Sequence, residues 1–498
     1  MLEAYGAALA TLFNPINLLI LFVAVLIGLA VGIIPGIGGI TIVAIILPFF
    51  FRMPAEVALI LIVALTAVTF TGGSITAILL NIPGTPPNAA TMLDGFPMTQ
   101  KGEGGRAIGA AVTSSMAGGI VPVFLALAMV PLVMPIIRAF GQPEMTMVVL
   151  LGISFLAVLT GGSVIKGLMA GMLGLLLSFI GYHTITGVHR FDFSTTFLYD
   201  GISLIPIALG LFGISELINL AMRGRTAIAP EAGVTKLPDI FRGVKDVWRH
   251  RWLWFRSTVI GYIIGIIPGV GAEVATWACY GQAKQTSKHP EKFGTGAVEG
   301  VIAPESANNA KEAGAMLTTM ALGIPGSPIM ALFLAAFLIV GVTPGPGMMA
   351  EHLPLALTLL LGIALANLIG GFICLFSAPY LSRVASVHID FLFPAIITVA
   401  VAGIYVATTS PLSLGVALAF AFLGLLMKRY DYSRPALLLG FVLGGLFENY
   451  SLLSFKIYGP WFFARPIPLI LLVIMILMLN FSNLKRGITS LRGRLTRS

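Results

Sequence analysis

The chain has 498 residues, of which 57% are apolar and only 10% are charged, and its mean hydropathy is +0.99. So few charges could not cover the surface of a soluble protein of this length, which excludes the soluble classes. The net charge of +9 is concentrated in residues 222–256 and in the tail after Asn483, so it does not indicate a nucleic-acid-binding surface. We predict an all-α polytopic protein of the lipid bilayer, with both basic segments in the cytoplasm.

The first apolar run, residues 18–50, is interrupted by a segment rich in glycine that contains Pro35. Proline removes a helical N–H donor and glycine permits unusual backbone angles, so we predict a broken-helix hairpin here. Apolar runs then predict membrane crossings near residues 55–80, 107–137, 144–160, 164–181 and 200–221. Residues 1–221 form the first predicted transmembrane repeat, and 222–256 form a basic cytoplasmic linker.

The interrupted motif returns around Pro268, which lies 233 positions after Pro35. Crossings are predicted near residues 312–342, 352–380, 391–408, 411–427 and 435–455, with an extra helix at 466–482. Residues 257–460 form the second predicted repeat, and 461–498 form a C-terminal helix and basic tail. About five crossings, an odd number, separate the first hairpin from the linker, so the two repeats are predicted to be inverted.

Polar, glycine-rich stretches lie beside these breaks, at 71–76, 81–88, 93–97, 303–309 and 323–328. We predict that they are irregular segments whose free N–H groups bind a carboxylate. The predicted substrate-binding residues are Gly36, Gly38, Ser74, Asn81, Gly84, Thr85, Gly269, Gly271, Ser306, Asn308, Asn309, Gly326 and Ser327. Alternatively, the glycines and prolines serve only close packing and kinks.

Glu305 and Asp94 are the predicted cation-coupling residues, because ionisable side chains within apolar segments are expensive and often functional. Asp94 could instead form a turn before Gly95, and Asn88 and Thr91 could simply cap a helix. The metal content is unknown from the sequence, although carbonyl groups freed at the breaks could bind Na⁺.

Signals for an enzyme are weak along the whole chain. The six histidines are scattered without metal-binding spacing, and neither a P-loop nor a GxSxG motif is present. We expect no enzymatic activity and no cofactor, with Na⁺ or H⁺ as the coupling ion. Two alternatives stay open: an intramembrane enzyme that uses Glu305 and Asp94 as paired carboxylates, and a carboxylate channel.

Several strings resemble the signatures of one transporter family. They are Leu-Asn-Ile-Pro-Gly-Thr-Pro at 80–86, Leu-Asp-Gly-Phe-Pro-Met at 93–98, Ala-Pro-Glu-Ser-Ala-Asn-Asn-Ala at 303–310, and the segments 322–327 and 344–346. Together they resemble the large membrane subunit of tripartite tricarboxylate transporters (TctA-like), over nearly the whole chain. Phe96 stands where the family pattern has Tyr, and Pro87-Asn88 replace small residues, which could alter the anion that fits.

This resemblance implies a permease of the bacterial inner membrane that works with two partners. One is a small four-helix membrane subunit, and the other is a periplasmic solute-binding protein that delivers an organic carboxylate. The expected substrate is a tri- or dicarboxylate such as citrate, imported by symport with Na⁺ or H⁺. Alternating access would come from one part of the inverted pair moving against a scaffold, as in an elevator.

Overall fold

A computed structural model of the chain describes residues 1–34, 38–160, 163–183, 186–222, 237–381 and 389–479. Its described part is almost entirely α-helical, which confirms the predicted fold class. Among the described residues, six helices are long and apolar enough to cross a membrane: Pro15–Ile33, Ala55–Leu80, Gly104–Pro135, Leu353–Ala378, Leu412–Arg429 and Arg434–Tyr458.

The helices of the first half begin near the N-terminus and end before the basic linker. In chain order they are α1 (Leu2–Leu12), α2 (Pro15–Ile33), α3 (Gly39–Ile46), α4 (Ala55–Leu80), α5 (Ala89–Gln100), α6 (Gly104–Arg138), α7 (Gln142–Thr160), α8 (Val164–Ser178), α9 (Leu204–Ala208) and α10 (Ser215–Met222). A 3-10 turn, Pro86–Asn88, precedes α5, and a π-helical segment, Leu209–Ile214, joins α9 to α10.

The second half begins with a helix inside the basic linker. Its helices are α11 (Leu237–Arg249), α12 (Arg251–Ile266), α13 (Gly271–Thr286), α14 (Glu299–Leu322), α15 (Pro328–Ile339), α16 (Pro346–Glu351), α17 (Leu353–Leu381), α18 (Ile389–Thr408), α19 (Leu412–Arg429), α20 (Arg434–Tyr458) and α21 (Pro466–Leu479). The remaining 3-10 turns are Leu47–Arg52, Thr196–Leu198, Pro290–Lys292 and Phe462–Ala464.

The chain forms two compact units. Unit 1 comprises residues 1–135 and 203–426, and unit 2 comprises residues 136–202 and 427–498. Unit 2 contains α7, α8, α20, α21 and a short antiparallel hairpin of β1 (Gly181–His183) and β2 (Val188–Arg190). Within it, Arg190 forms two hydrogen bonds with the carboxylate of Glu448, of 2.5 and 2.8 Å. The predicted division of the chain into two transmembrane repeats, residues 1–221 and 257–460, stays a prediction.

In unit 1, glycines bring α2 into backbone contact with α4. A Cβ atom on Gly28 would lie 2.3 Å from the carbonyl oxygen of Leu65, and one on Gly32 would lie 2.1 Å from that of Thr69. Real Cβ atoms do not approach so closely, so both positions require glycine. Small residues of this kind let two membrane helices pack backbone to backbone.

The same contact recurs between α12 and α14. A Cβ atom on Gly261 would lie 2.6 Å from the Cα of Ala307, and one on Gly265 would lie 2.2 Å from the carbonyl oxygen of Lys311. Gly261 and Gly265 follow Gly28 and Gly32 by the same 233 positions that separate the two prolines. This repetition of a contact supports a duplicated helix pair, whereas the inversion of the repeats stays a prediction.

Two predictions from the sequence were wrong, one about the polar stretches and one about a membrane crossing. Residues 71–76, 93–97 and 303–309 are helical, in α4, α5 and α14 respectively. The hydroxyl groups of Ser74, Thr76 and Ser306 donate to carbonyl groups of their own helices, at 3.1, 3.1 and 2.6 Å. The crossing predicted at 312–342 is also wrong, because α14 ends at Leu322 and α15 begins at Pro328. Gly323 ends α14 with a φ of 69°, a conformation that breaks the helix.

Candidate functional site

A buried carboxylate joins α14 to α5, α6 and the Pro86–Asn88 turn. Glu305, on α14, has no exposed surface. Its Oε1 accepts hydrogen bonds from the Thr91 hydroxyl at 2.5 Å and the Asn88 amide at 3.4 Å, and its Oε2 accepts one from the Ser115 hydroxyl at 2.6 Å. These donors are all uncharged, and no cation pairs with Glu305 among the described residues. A carboxylate buried this way can take up a proton or a cation.

Asn88 connects this carboxylate to the break that follows α4. Its amide nitrogen also donates to the Ser74 hydroxyl at 2.9 Å and to the carbonyl of Phe70 at 3.1 Å. Its amide oxygen accepts from the backbone N–H of Thr85 at 3.2 Å and from the Thr85 hydroxyl. The structure therefore brings the predicted site residues Ser74 and Thr85 into one network with Glu305, through an asparagine that the sequence suggested only as a cap.

Asp94 has a different environment. One of its oxygens accepts the backbone N–H groups of Gly294, Gly296 and Ala297, each at 2.8 Å, and the other accepts the hydroxyl of Tyr280 at 2.9 Å. Four hydrogen bonds occupy most of the acceptor capacity of a carboxylate. This geometry supports a structural role, fixing the loop before α14, and cation coupling by Asp94 stays an untested prediction.

Asn309 links three helices. Its amide nitrogen donates to the Asn367 side chain at 2.6 Å, to the Thr71 hydroxyl at 3.0 Å and to the carbonyl of Ala67 at 3.3 Å. These acceptors lie on α17 and α4, so Asn309 joins both to α14. Neither Thr71 nor Asn367 was singled out from the sequence, because a partner 58 or more positions away leaves no local signal.

Other predicted site residues carry buried polar atoms that lack a partner. Both amide atoms of Asn308 and the hydroxyl oxygen of Ser327 have no hydrogen bond within the described residues. Both side chains are almost completely buried. An unpaired buried polar group is costly and rare in native proteins, so each such group requires an explanation. Groups kept ready for a ligand would provide one.

The second break is held by contacts between its own two parts. The backbone N–H of Gly269 donates to the carbonyl of Pro325 at 3.1 Å, and that of Gly326 donates to the Thr319 hydroxyl at 3.2 Å. Gly269 and Gly271 have φ values of 76° and 75°, which glycine adopts without strain. The predicted residues Gly269 and Gly326 thus lie in one packed turn region, next to the start of α15.

The first break has the corresponding arrangement. The backbone N–H of Gly84 donates to the carbonyl of Gly73 at 3.3 Å, and a Cβ on Gly84 would lie 2.3 Å from the carbonyl oxygen of Gly32. Gly38 caps the N-terminus of α3. Gly36, another predicted binding residue, lies outside the described residues.

The remaining predicted residue, Asn81, ends α4 in a left-handed conformation with a φ of 56°. Its surface is exposed, unlike the buried Gly84 and Thr85 that follow. The two break regions approach each other through α3 and α15, since a Cβ on Gly39 would lie 2.9 Å from Cδ1 of Ile329. Pro35 is not among the described residues, so its position relative to Pro268 is not assigned.

Two charged residues of the site went unnoticed in the sequence. Lys311 and Glu312 are 1% and 2% exposed, form an ion pair, and lie one turn beyond Asn308 on α14. The Lys311 ammonium also lies 4.9 Å from the centre of the Phe70 ring. The predicted crossing 312–342 begins at Glu312 and leaves Lys311 just before it, and neither charge was assigned a role. Two adjacent charges directly after Asn-Asn-Ala were the available signal.

Among the described residues, no group of three or more His, Cys, Asp and Glu side chains could hold a metal ion. The two cysteines, Cys279 and Cys374, are free and buried. Binding of Na⁺ by backbone carbonyls at the breaks stays a prediction.

A comparison with known protein families shows the family of this chain. Residues 18–439 match the model of the family described as "Tripartite tricarboxylate transporter TctA family". The chain belongs to the TctA family. The family assignment makes it a subunit of a transport system, which agrees with its multi-pass helical fold, and the resemblance inferred from the sequence is confirmed.

Two curated relatives of this TctA protein come from Agrobacterium vitis. An "Uncharacterized 52.8 kDa protein in TAR-I ttuC' 3'region" is 36% identical over 445 residues, covering 88% of this chain and 87% of the relative. An "Uncharacterized protein in TAR-II ttuC' 3'region" is 35% identical over 193 residues, covering 38% of this chain and 78% of the relative. No solved structure matches the chain.

Proposed function

We propose that this TctA protein imports an organic carboxylate of the tri- or dicarboxylate class, as the large permease subunit of a tripartite system in the bacterial inner membrane. Its partners are a small four-helix membrane subunit and a periplasmic solute-binding protein. Import is coupled to the entry of Na⁺ or H⁺. Family membership supports the transport role, and the site supports the coupling.

The observation that carries the coupling is the environment of Glu305. Hydroxyl groups of Thr91 and Ser115 can donate to an ionised carboxylate and can also accept from a protonated one. The site can therefore satisfy the side chain in both charge states. A carboxylate able to alternate between two states within a protein interior is suited to carry the coupling cation.

The predicted substrate residues support the same proposal. Asn308, within α14, and Ser327, directly before α15, have buried polar atoms without partners among the described residues. Unpaired donors of this kind suit the oxygens of a carboxylate, which accepts hydrogen bonds at both oxygens. The substrate is held between the two break regions, within α4, α14 and the turns that follow them.

The test uses proteoliposomes that contain the purified permease with its small subunit and its solute-binding protein. We expect labelled citrate, succinate or tartrate to accumulate under an inward Na⁺ gradient or an inward proton gradient, and the effective gradient identifies the coupling ion. In Glu305→Gln the side chain can no longer ionise. We expect it to lose accumulation while retaining exchange of external for internal substrate.

Glu299→Gln is the matched control, because it makes the same change on the same helix at a side chain that is 32% exposed. It should accumulate substrate normally. Passage of solute down its own concentration gradient, without dependence on an imposed ion gradient, would instead indicate a channel. Recovery of a chemically altered solute would indicate an enzyme. Full accumulation by Glu305→Gln would remove Glu305 from the coupling mechanism.

A further inference from the structure

The ion pair of Lys311 and Glu312 differs from the other buried polar contacts of the site because it places a full positive charge there. Within the described residues, Lys311 has Glu312 as its counter-ion and the Phe70 ring as a second neighbour, 4.9 Å away. Taking both charges out of water is expensive, and a buried ion pair often contributes little or nothing to stability. Such a pair inside a membrane protein therefore calls for a functional explanation.

The duplicated helix contact shows that packing does not require these charges. Gly265 packs against the backbone of Lys311 as Gly32 packs against that of Thr69, so Lys311 corresponds to Thr69 and Glu312 to Phe70. The hydroxyl of Thr69 simply bonds to the carbonyl of Leu65 in its own helix, at 2.7 Å. Where the first half has an uncharged pair, the second half carries a cation and an anion.

The ion pair lies close to an unused hydrogen-bonding group. Glu312 is the counter-ion of Lys311 within the described residues, and the two charged groups are in direct contact. Asn308 precedes Lys311 by three positions and Glu312 by four, so the three residues lie on neighbouring parts of one helix face. The Asn308 amide is itself unpaired and buried. A buried cation and its counter-ion thus lie about one helical turn from an amide that has no hydrogen-bond partner within the described residues.

We propose that Lys311 is the cation that binds a carboxylate of the substrate, and that Glu312 holds its place until the substrate arrives. The incoming carboxylate takes over the Lys311 ammonium from Glu312 and accepts a hydrogen bond from the Asn308 amide. This inference rests on the proposed function and deepens it, because it makes the recognised feature an anionic carboxylate. Substrate and Glu312 compete for one cation.

Competition predicts effects of opposite sign for the two members of the pair. In Glu312→Gln the competitor is gone, so the dissociation constant for the substrate should fall at least about tenfold. In Lys311→Gln the binding charge is gone, so the constant should rise at least about tenfold. Lys311→Arg keeps the charge and should stay within roughly threefold of the wild type. If the pair had only a structural role, both Glu312→Gln and Lys311→Gln would weaken substrate binding.

The experiment measures binding of citrate, succinate and tartrate to the full chain in lipid nanodiscs, by calorimetry and by ligand-induced thermal stabilisation. Trimethyl citrate, which has no charge, should not bind. Lys284→Gln, at an exposed position of α13, is the matched control and should behave as the wild type. Unchanged binding by Lys311→Gln, or weaker binding by Glu312→Gln, would overturn the assignment.

The single variants leave one charge unpaired and could fail to fold, so the double variant Lys311→Met/Glu312→Leu completes the design. Apolar residues of similar volume commonly replace a buried ion pair without loss of stability. We expect this variant to fold and to bind none of the three acids. Binding as in the wild type would overturn the inference while leaving the proposed function intact. Absence of uptake by the wild-type complex would overturn both.

Discussion

At the scale of single residues, two buried acids of the signature strings, Asp94 at 93–98 and Glu305 at 303–310, have contrasting environments. Asp94 accepts three backbone N–H groups and one phenolic hydroxyl, which fixes the loop at 294–297. Glu305 accepts only side-chain hydroxyls and an amide. Backbone N–H groups cannot turn to accept a hydrogen bond from a protonated carboxyl group, whereas hydroxyl groups can. This geometry favours a structural role for Asp94 and supports the coupling role proposed for Glu305.

The role of Asp94 can be tested through stability. Asp94→Ala leaves the N–H groups of the 294–297 loop and the Tyr280 hydroxyl without their acceptor, so we expect a loss of about 3 kcal/mol in the free energy of unfolding. Tyr280→Phe removes one of the four bonds and should cost about 1 kcal/mol. Thermal unfolding in detergent gives both values. If Asp94→Ala is as stable as the wild type but loses gradient-driven uptake, then Asp94 is a coupling residue after all.

The sequence predicted individual residues less well than it predicted helices. Residues 55–80 were predicted as a crossing with the bounds that α4 has, because lipid-compatible apolar runs give a strong signal. By contrast, α14 is buried among other helices and carries many polar side chains, so its hydropathy does not reveal it. The contacts of Asn88, Thr91 and Ser115 with Glu305 were not predicted, because Glu305 lies 190 or more positions away in the sequence.

At the scale of elements, the pairs α2–α4 and α12–α14 depend on glycine at the points of closest approach. The corresponding glycines recur at a fixed spacing of 233 residues. Gly32 and Gly265 belong to the repeated motif that predicted the breaks, whereas the contacts at Gly28 and Gly261 were not predicted. The sequence alone could not show which helix each motif packs against, because that requires the partners α4 and α14.

Adding one methyl group tests this packing. Gly265→Ala would place a Cβ 2.2 Å from the carbonyl oxygen of Lys311, so the helices must separate, and we expect a destabilisation of roughly 1–3 kcal/mol. Gly281→Ala is the matched control, because a Cβ on that helical glycine would meet no atom within 4 Å. It should be neutral or stabilising by about 0.5–1 kcal/mol. Equal unfolding temperatures for the two variants would contradict the close packing.

At the scale of the whole molecule, the inverted arrangement of the repeats stays a prediction with one supporting observation. On α14, Glu305 connects through Asn88 to Ser74, whereas Asn309 bonds near Thr71 and Ala67. Residue numbers therefore rise along α14 while they fall along α4, so the two helices run antiparallel. Corresponding helices of inverted repeats are expected to do so.

Labelling from either side of the membrane tests the inversion. The test places one cysteine at Glu56, in the first turn of α4, or at Lys288, after α13, and both positions are exposed. We expect a membrane-impermeant maleimide to label Glu56→Cys in intact spheroplasts and Lys288→Cys only after permeabilisation, because the basic linker near α13 is predicted to be cytoplasmic. The native cysteines are buried and should give little background. Labelling of both positions from one side would exclude inverted repeats.

The glycine contacts also limit how the protein can move. The backbones of α12 and α14 touch at Gly261 and Gly265, so no layer of side chains separates the two helices there. Such helices cannot easily slide or roll past each other. We therefore expect each helix pair to move as one rigid body. Bending would occur at the ends of the helices, which are Ile33, Leu80, Ile266 and Leu322. Access to Lys311 would then open by rotation of the segments at these helix ends against the rigid helix pairs.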